Sequence, residues 1–152
     1  MHLAHYLELL HRSQTRLGDA FRTVARSHAD EHDVHAICDK LAAQCDRHAE
    51  QLKPFGERYG EDAEREPARL HGEIFGGPRE GPLGLLRDLH DLYLMACECD
   101  ISWTLVGQAA QGARDRELLS VVQTCEGETA MQITWARSRM KEAAPQALVV
   151  AS

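Results

Sequence analysis

Aromatic residues are scarce, at 5% of the chain, and β-branched residues are thin. No stretch alternates apolar and polar residues as a half-buried strand would, so a sheet protein is not expected. No run approaches eighteen consecutive apolar residues, which argues against a membrane-spanning helix. The opening residues, Met1 to Tyr6, have neither the basic region nor the apolar core of a signal peptide. Basic residues are outnumbered, 17 Lys and Arg against 24 Asp and Glu, for a formal net charge of −7 with His neutral. They are scattered, with no basic, aromatic-interleaved stripe. Such a surface repels phosphate backbones and anionic lipid, so neither nucleic acid nor membrane is an expected partner. The 5 cysteines are an odd number without a Cys-x-x-Cys pair, and free, mostly buried thiols in a reducing compartment follow. A cytoplasmic protein is expected. The loop from Gly76 to Pro82 has glycines but no preceding strand and no Gly-Lys-Ser/Thr, so it reads as a turn.

What remains is a helix-forming composition, 43% hydrophobic and rich in Ala, Leu, Glu and Arg. At 152 residues it is sized for one domain covering 1–152, large enough to bury a core without disulfide or metal staples. Steps of 100° per residue mark four amphipathic segments. The first, over 2–26, aligns Leu3, Tyr6, Leu7, Leu10, Gln14, Leu17, Phe21 and Val24. Ser27 with Asp30 reads as a capping box that restarts the chain. The second, over 28–53, aligns Val34, Ile37, Cys38, Leu41, Cys45, His48 and Leu52. Prolines and glycines then break the pattern over 54–81, with a short helix expected around 67–75. The third segment, over 82–111, aligns Leu85, Leu86, Leu89, Tyr93, Ala96, Asp100 and Trp103. The fourth, over 115–143, aligns Leu118, Val122, Cys125, Thr129, Ile133, Ala136 and Met140, and stops before Pro145. The tail from Ala147 to Val150 is apolar enough to dock.

A tight link joins segments one and two, and a long one joins two and three. The expected fold is therefore an all-α four-helix bundle of two antiparallel pairs, joined by a crossover over 54–81. With segments two and three parallel, His48 and Asp100 stand at one height, and Cys125 and Glu126 reach it from segment four. An imidazole and two carboxylates would share one core layer. A structural pair, His48 hydrogen-bonded to Asp100, is the simpler reading. A single metal held by His48, Asp100 and Glu126 is the sharper one, and acid–base chemistry a third.

This arrangement resembles the ferritin-like superfamily over nearly the whole chain. The resemblance implies a di-iron site built from a Glu on each of two helices and Glu-x-x-His on the other two. Residue by residue, Cys45-Asp46-Arg47-His48 keeps the His and replaces the Glu, while Glu126-Gly127-Glu128-Thr129 keeps a Glu and replaces the His. Asp100 substitutes for a Glu on the third segment, and Glu8 falls on the wrong face of the first. Three of six ligands survive, so no di-iron site is expected. The runs Gly84-Leu-Leu-Arg-Asp-Leu-His-Asp-Leu-Tyr and Cys125-Glu-Gly-Glu-Thr are similar to a group of bacterial helical proteins without an established activity, some labelled oxidoreductases.

His28, His32 and His35, with Asp39, form a stripe at chelating spacing, but it lies well round from the core face and reads as solvated surface. Cys97 and Cys99 cannot meet one metal from a helix. The third segment is apolar nearly all round: Leu94, Ile101 and Leu105 form a second stripe, Met95 and Val106 a third, and a surface helix needs only one. Trp135 also sits off its own core face. The expectation is a non-catalytic binding or scaffold protein without a cofactor, a homodimer through Leu94, Ile101 and Leu105. The alternative is a protein holding one iron or zinc, or an oxidoreductase, at His48, Asp100 and Glu126.

Overall fold

A computed structural model describes residues 2–60 and 74–151. Four long helices carry the fold: α1 (Leu3–Ser27), α2 (His32–Tyr59), α3 (Gly81–Gly112) and α4 (Arg116–Pro145), with a π-helical turn over Gln146–Val150. Among the described residues no strand occurs and no helix is long and apolar enough to cross a membrane. The four helices form a bundle around one core. Leu7, Leu10, Leu17 and Phe21 of α1 meet Val34, Leu41 and Leu52 of α2, Leu89, Leu92 and Trp103 of α3, and Leu118 and Val122 of α4 there.

Pro54 does not end α2, contrary to the expected break. A proline inside a helix costs about 3 kcal/mol through its lost N–H and its clash with the preceding turn. The turn beyond it is anchored well enough to outweigh that. Phe55 is buried, the Arg58 guanidinium lies over its ring at 4.9 Å, and the Tyr59 hydroxyl donates to Asp115 Oδ2 at 2.6 Å. The segment between α2 and α3 is therefore shorter than 54–81. Of the expected short helix, only Ile74 and Phe75 lie within the described residues. They are non-helical and half-buried, and Phe75 packs on the core.

The link between α1 and α2 also departs from expectation. Ser27 ends α1, and α2 begins after Glu31 with no side-chain cap. The turn is held instead by the His28 N–H on Val24 O and the Glu31 N–H on His28 O, each 3.0 Å. The next link is conventional: Asp115 caps α4 by accepting from the Leu118 N–H, and Arg114 before it takes a positive φ of 56°. At the other end Pro145 belongs to α4, and of the tail only Ala147 is buried.

Helix α1 approaches α2 closely at Gly18, where a β-carbon would lie 3.2 Å from Cys45 Cβ. The expected faces of α1, α2 and α4 are buried with few exceptions, Tyr6 among them. On α3 the buried stripe is Leu85, Asp88, Leu89, Leu92, Ala96, Cys99, Trp103 and Val106. Tyr93 and Asp100 stand half-buried at its edge. Of the extra stripes, Val106 and Met95 join the core, as does Trp135 of α4, while Leu94, Ile101 and Leu105 stay exposed.

Candidate functional site

A polar chain crosses the core at His48. The ring is wholly buried, as is Gln14 of α1. Its Nδ1 lies 3.3 Å from Gln14 Oε1 and its Nε2 3.3 Å from Glu128 Oε1 of α4. Burial pushes the imidazole below its ordinary range, outweighing the hydrogen bond and charge of Glu128 that raise it. A single ring proton follows, and the carboxylate fixes it on Nε2, which donates to Glu128. Nδ1 then requires a donor. Turning the Gln14 amide so that its Nε2 faces the ring supplies one, an exchange that hydrogen-bond logic rather than atom position decides. The same turn satisfies Gln14 Nε2, which is otherwise buried without a partner.

Around this chain lie further polar groups. Trp103 meets the His48 ring edge-on, with centroids 5.8 Å apart, and its buried Nε1 has no partner among the described residues. Gln132 of α4 donates to Gln44 Oε1 of α2 at 3.1 Å, beside Cys45 at 3.8 Å. The Cys125 thiol donates to Gln51 Oε1 at 3.3 Å. Glu128 connects the core to the surface, where Arg47 donates to it at 3.3 Å.

His48 thus meets Glu128 and Gln14, whereas Asp100 and Glu126 are not among its hydrogen-bond partners. Those two carboxylates sit near each other at the α3–α4 edge. Burial, then the Glu126 charge, raises the Asp100 carboxyl, and Glu126 accepts from the Thr104 hydroxyl at 3.0 Å. Among the described residues no three His, Cys, Asp or Glu side chains are grouped to hold a metal. All 5 cysteines are free. Burial pushes the Cys38, Cys45 and Cys125 thiols up to about 12, so none is a ready nucleophile.

The histidine stripe expected on α2 is divided. His32 is exposed. His35 places Nδ1 2.8 Å from Ala25 O and Nε2 3.7 Å from Asp39. His28 precedes α2 and is buried rather than solvated. Its Nε2 lies 2.9 Å from Oδ2 of Asp88, a wholly buried carboxylate on α3. Asp88 also accepts from the Arg79 backbone N–H at 2.9 Å and from its guanidinium at 3.0 Å. The same guanidinium nitrogen reaches Asp91 at 2.8 Å. Such a carboxylate, acceptor at both oxygens, fixes the tautomer of the imidazole it faces. A cleft of about 550 Å³ opens beside His28, between the α1–α2 turn, the start of α3 and the end of α4.

Two residues of these clusters escaped the sequence reading. Glu128 stands three residues after Cys125 and four before Gln132, and Glu126 four after Val122 and three before Thr129, so the two flank the buried stripe from opposite sides and spacing alone does not choose between them. Asp88 stands between Leu85 and Leu92 on the α3 stripe, and an acid in that position signals a buried partner. Comparison with protein-family models, curated proteins and solved structures finds no match to the chain. Fold and site together define a four-helix bundle with a hydrogen-bonded histidine in its core and a second one at its end.

Proposed function

We propose that this chain is a ferritin-like bundle acting as a non-catalytic binding or scaffold protein, and that it works as a homodimer through α3. In the proposed topology α1 pairs antiparallel with α2, and α3 with α4, and a crossover joins the two pairs. Several contacts support that order. Gln14 meets His48 while Ala25 meets His35. Asp33 meets Arg139 while Arg58 meets Asp115. Thr104 meets Glu126, and Gly107 approaches Val122. Opposed senses for α1 with α2, α2 with α4 and α3 with α4 leave α2 and α3 parallel.

One observation carries the dimer. Leu94, Ile101 and Leu105 are 41%, 54% and 44% exposed on a helix whose other side is core. Intervals of seven and four residues align them as a ridge, the spacing with which one helix meets another. Tyr6 of α1, also exposed, lines an apolar cleft with Leu105 and so widens the patch. Burying each such side chain is worth about 1.5–3 kcal/mol, and symmetric pairing of one patch is the commonest way to do so. The test is Ile101→Lys with Leu105→Lys, read by light scattering. Wild type should scatter as a dimer and the double variant as a monomer of unchanged helicity. A monomeric wild type would end the proposal, and a dimer indifferent to both changes would move the interface elsewhere.

The rival reading, one iron or zinc at His48, Asp100 and Glu126, has in its favour the crowded carboxylates of Asp100 and Glu126, which attract a cation. Metal analysis of tag-free protein decides it. Stoichiometric metal that is lost on His48→Ala would promote the rival.

A further inference from the structure

The strongest unassigned feature is the cleft at the His28 end, and it does not depend on the dimer. We propose that this cleft binds a small organic ammonium, an alkyl- or arylalkyl-amine in its charged form.

Its volume of about 550 Å³ lies in the range of small-molecule sites. Pro82, Leu85 and Ala143 give it an apolar side, and Asp30, Glu31, Glu80 and Glu142 give it carboxylates. The cation in the lining, Arg139, is already engaged. It lies 2.7 Å from Asp33, 3.2 Å from Glu31 and 3.9 Å from Glu142. Asp30 and Glu80 have no ion-pair partner among the described residues. The cleft therefore carries excess negative charge, which attracts cations and repels anions.

Acidic residues alone would make only a solvated rim. His28 makes the cleft selective. Its side chain is 6% exposed, yet it lines the cleft. Asp88, an acceptor for Arg79 at both oxygens, takes the proton of His28 Nε2. In the neutral ring this leaves Nδ1 as a lone-pair acceptor. Nδ1 has no hydrogen-bond partner among the described residues, and with His28 in the lining of the acid-rimmed cavity it is the ring nitrogen left to meet a ligand. The matching ligand brings positive charge together with N–H donors. A primary ammonium has three, enough for Nδ1 and for carboxylates on the rim. Its carbon chain then rests on Leu85, Pro82 and Ala143. A bare divalent cation fits less well, since no three ligands are grouped there.

The experiment titrates the full chain, labelled with nitrogen-15, with 2-phenylethylammonium, and follows the His28 ring nitrogens by NMR. Two controls run beside it: the N,N,N-trimethyl analogue, which keeps the charge but has no N–H, and phenylacetate, which reverses the charge. The primary amine should bind saturably and move the His28 Nδ1 resonance. The trimethyl analogue should bind about tenfold more weakly or worse, the loss expected for one hydrogen bond from a charged donor. Phenylacetate should not bind. Glu80→Gln and Glu142→Gln should each weaken the amine by about two- to fivefold, as exposed ion pairs do. No saturable binding, equal binding of the two cations, or indifference to both substitutions would overturn the assignment.

Discussion

Gly84 stands so close to Arg79 that a β-carbon on it would come within 2.7 Å of the Arg79 carbonyl carbon and 2.9 Å of its oxygen. The chain preceding α3 folds back against the helix at that point, which brings the Arg79 N–H to Asp88. In an ordinary helix position Gly→Ala gains about 1 kcal/mol. Gly84→Ala should instead lose about 1–3 kcal/mol, because backbone rather than a flexible side chain must give way. Urea unfolding of the two proteins measures the sign, and a stabilised variant would refute the close approach.

Asp115 joins three roles: cap of α4, acceptor for Tyr59 and ion-pair partner of Arg58. Burial pushes its carboxyl up, but the Tyr59 hydroxyl, the Leu118 N–H and Arg58 outweigh burial and hold it below the ordinary range. Asp115→Ala should cost about 1–2 kcal/mol at neutral pH on the cap alone. A carboxyl that titrates lower in the folded chain contributes stability above its ordinary value of 3.8 and loses it as pH falls through the folded value. The gap between wild type and variant should therefore narrow below about pH 4. Denaturation at pH 7 and pH 3 tests both parts.

His48 works in the opposite direction from a surface histidine that gains a partner. Its folded value lies below the ordinary 6.5, so the unfolded chain binds its proton first. Stability is unaffected by this group above about pH 6.5 and declines as pH falls below it. The difference in unfolding free energy between wild type and His48→Gln should shift against wild type from pH 7.5 to pH 5. A constant difference over that interval would show that the ring charges without penalty.

Trp103 is wholly buried, with an N–H that finds no partner among the described residues. Removing that N–H relieves a buried donor, whose desolvation costs about 1–3 kcal/mol. Trp103→Phe should consequently stay within about 1 kcal/mol of wild type, although it opens space. Trp103→Ala should cost about 3–5 kcal/mol. Paired thermal melts separate the two effects.

The four helices were legible because each long segment carries its own 3.6-residue periodicity. Three boundaries were not, one of them the end of α4, which runs through Pro145. Pro54 is a local breaker, and α2 is carried past it by buried Phe55 and by the distant anchors of Arg58 and Tyr59 on Asp115. Ser27 and Asp30 spell a cap, but the turn is held by backbone bonds and by His28 reaching α3. The face of α3 was ambiguous for another reason. A helix apolar on several sides offers several stripes, and periodicity alone does not choose among them. That uncertainty passed into the site. Equal counting from the helix starts placed Asp100 and Glu126 beside His48, whereas Glu128 is the residue bonded to it. Two residues along a helix turn a side chain by about 200°, enough to exchange one carboxylate for another.

The thiols divide the bundle into separately readable parts. Cys38 and Cys45 report on α2, Cys99 on α3 and Cys125 on α4, and all four are shut away. Half-buried Cys97 serves as an internal standard on α3. Burial pushes Cys38, Cys45 and Cys125 to about 12 and Cys99 well up from its ordinary value, and such thiols barely react until their helix detaches. Brief exposure to an alkylating reagent, followed by peptide mass spectrometry, would thus time the release of α2, α3 and α4 in unaltered protein. If α3 and α4 leave as one piece, Cys99 and Cys125 acquire the label together, with Cys38 and Cys45 on their own schedule.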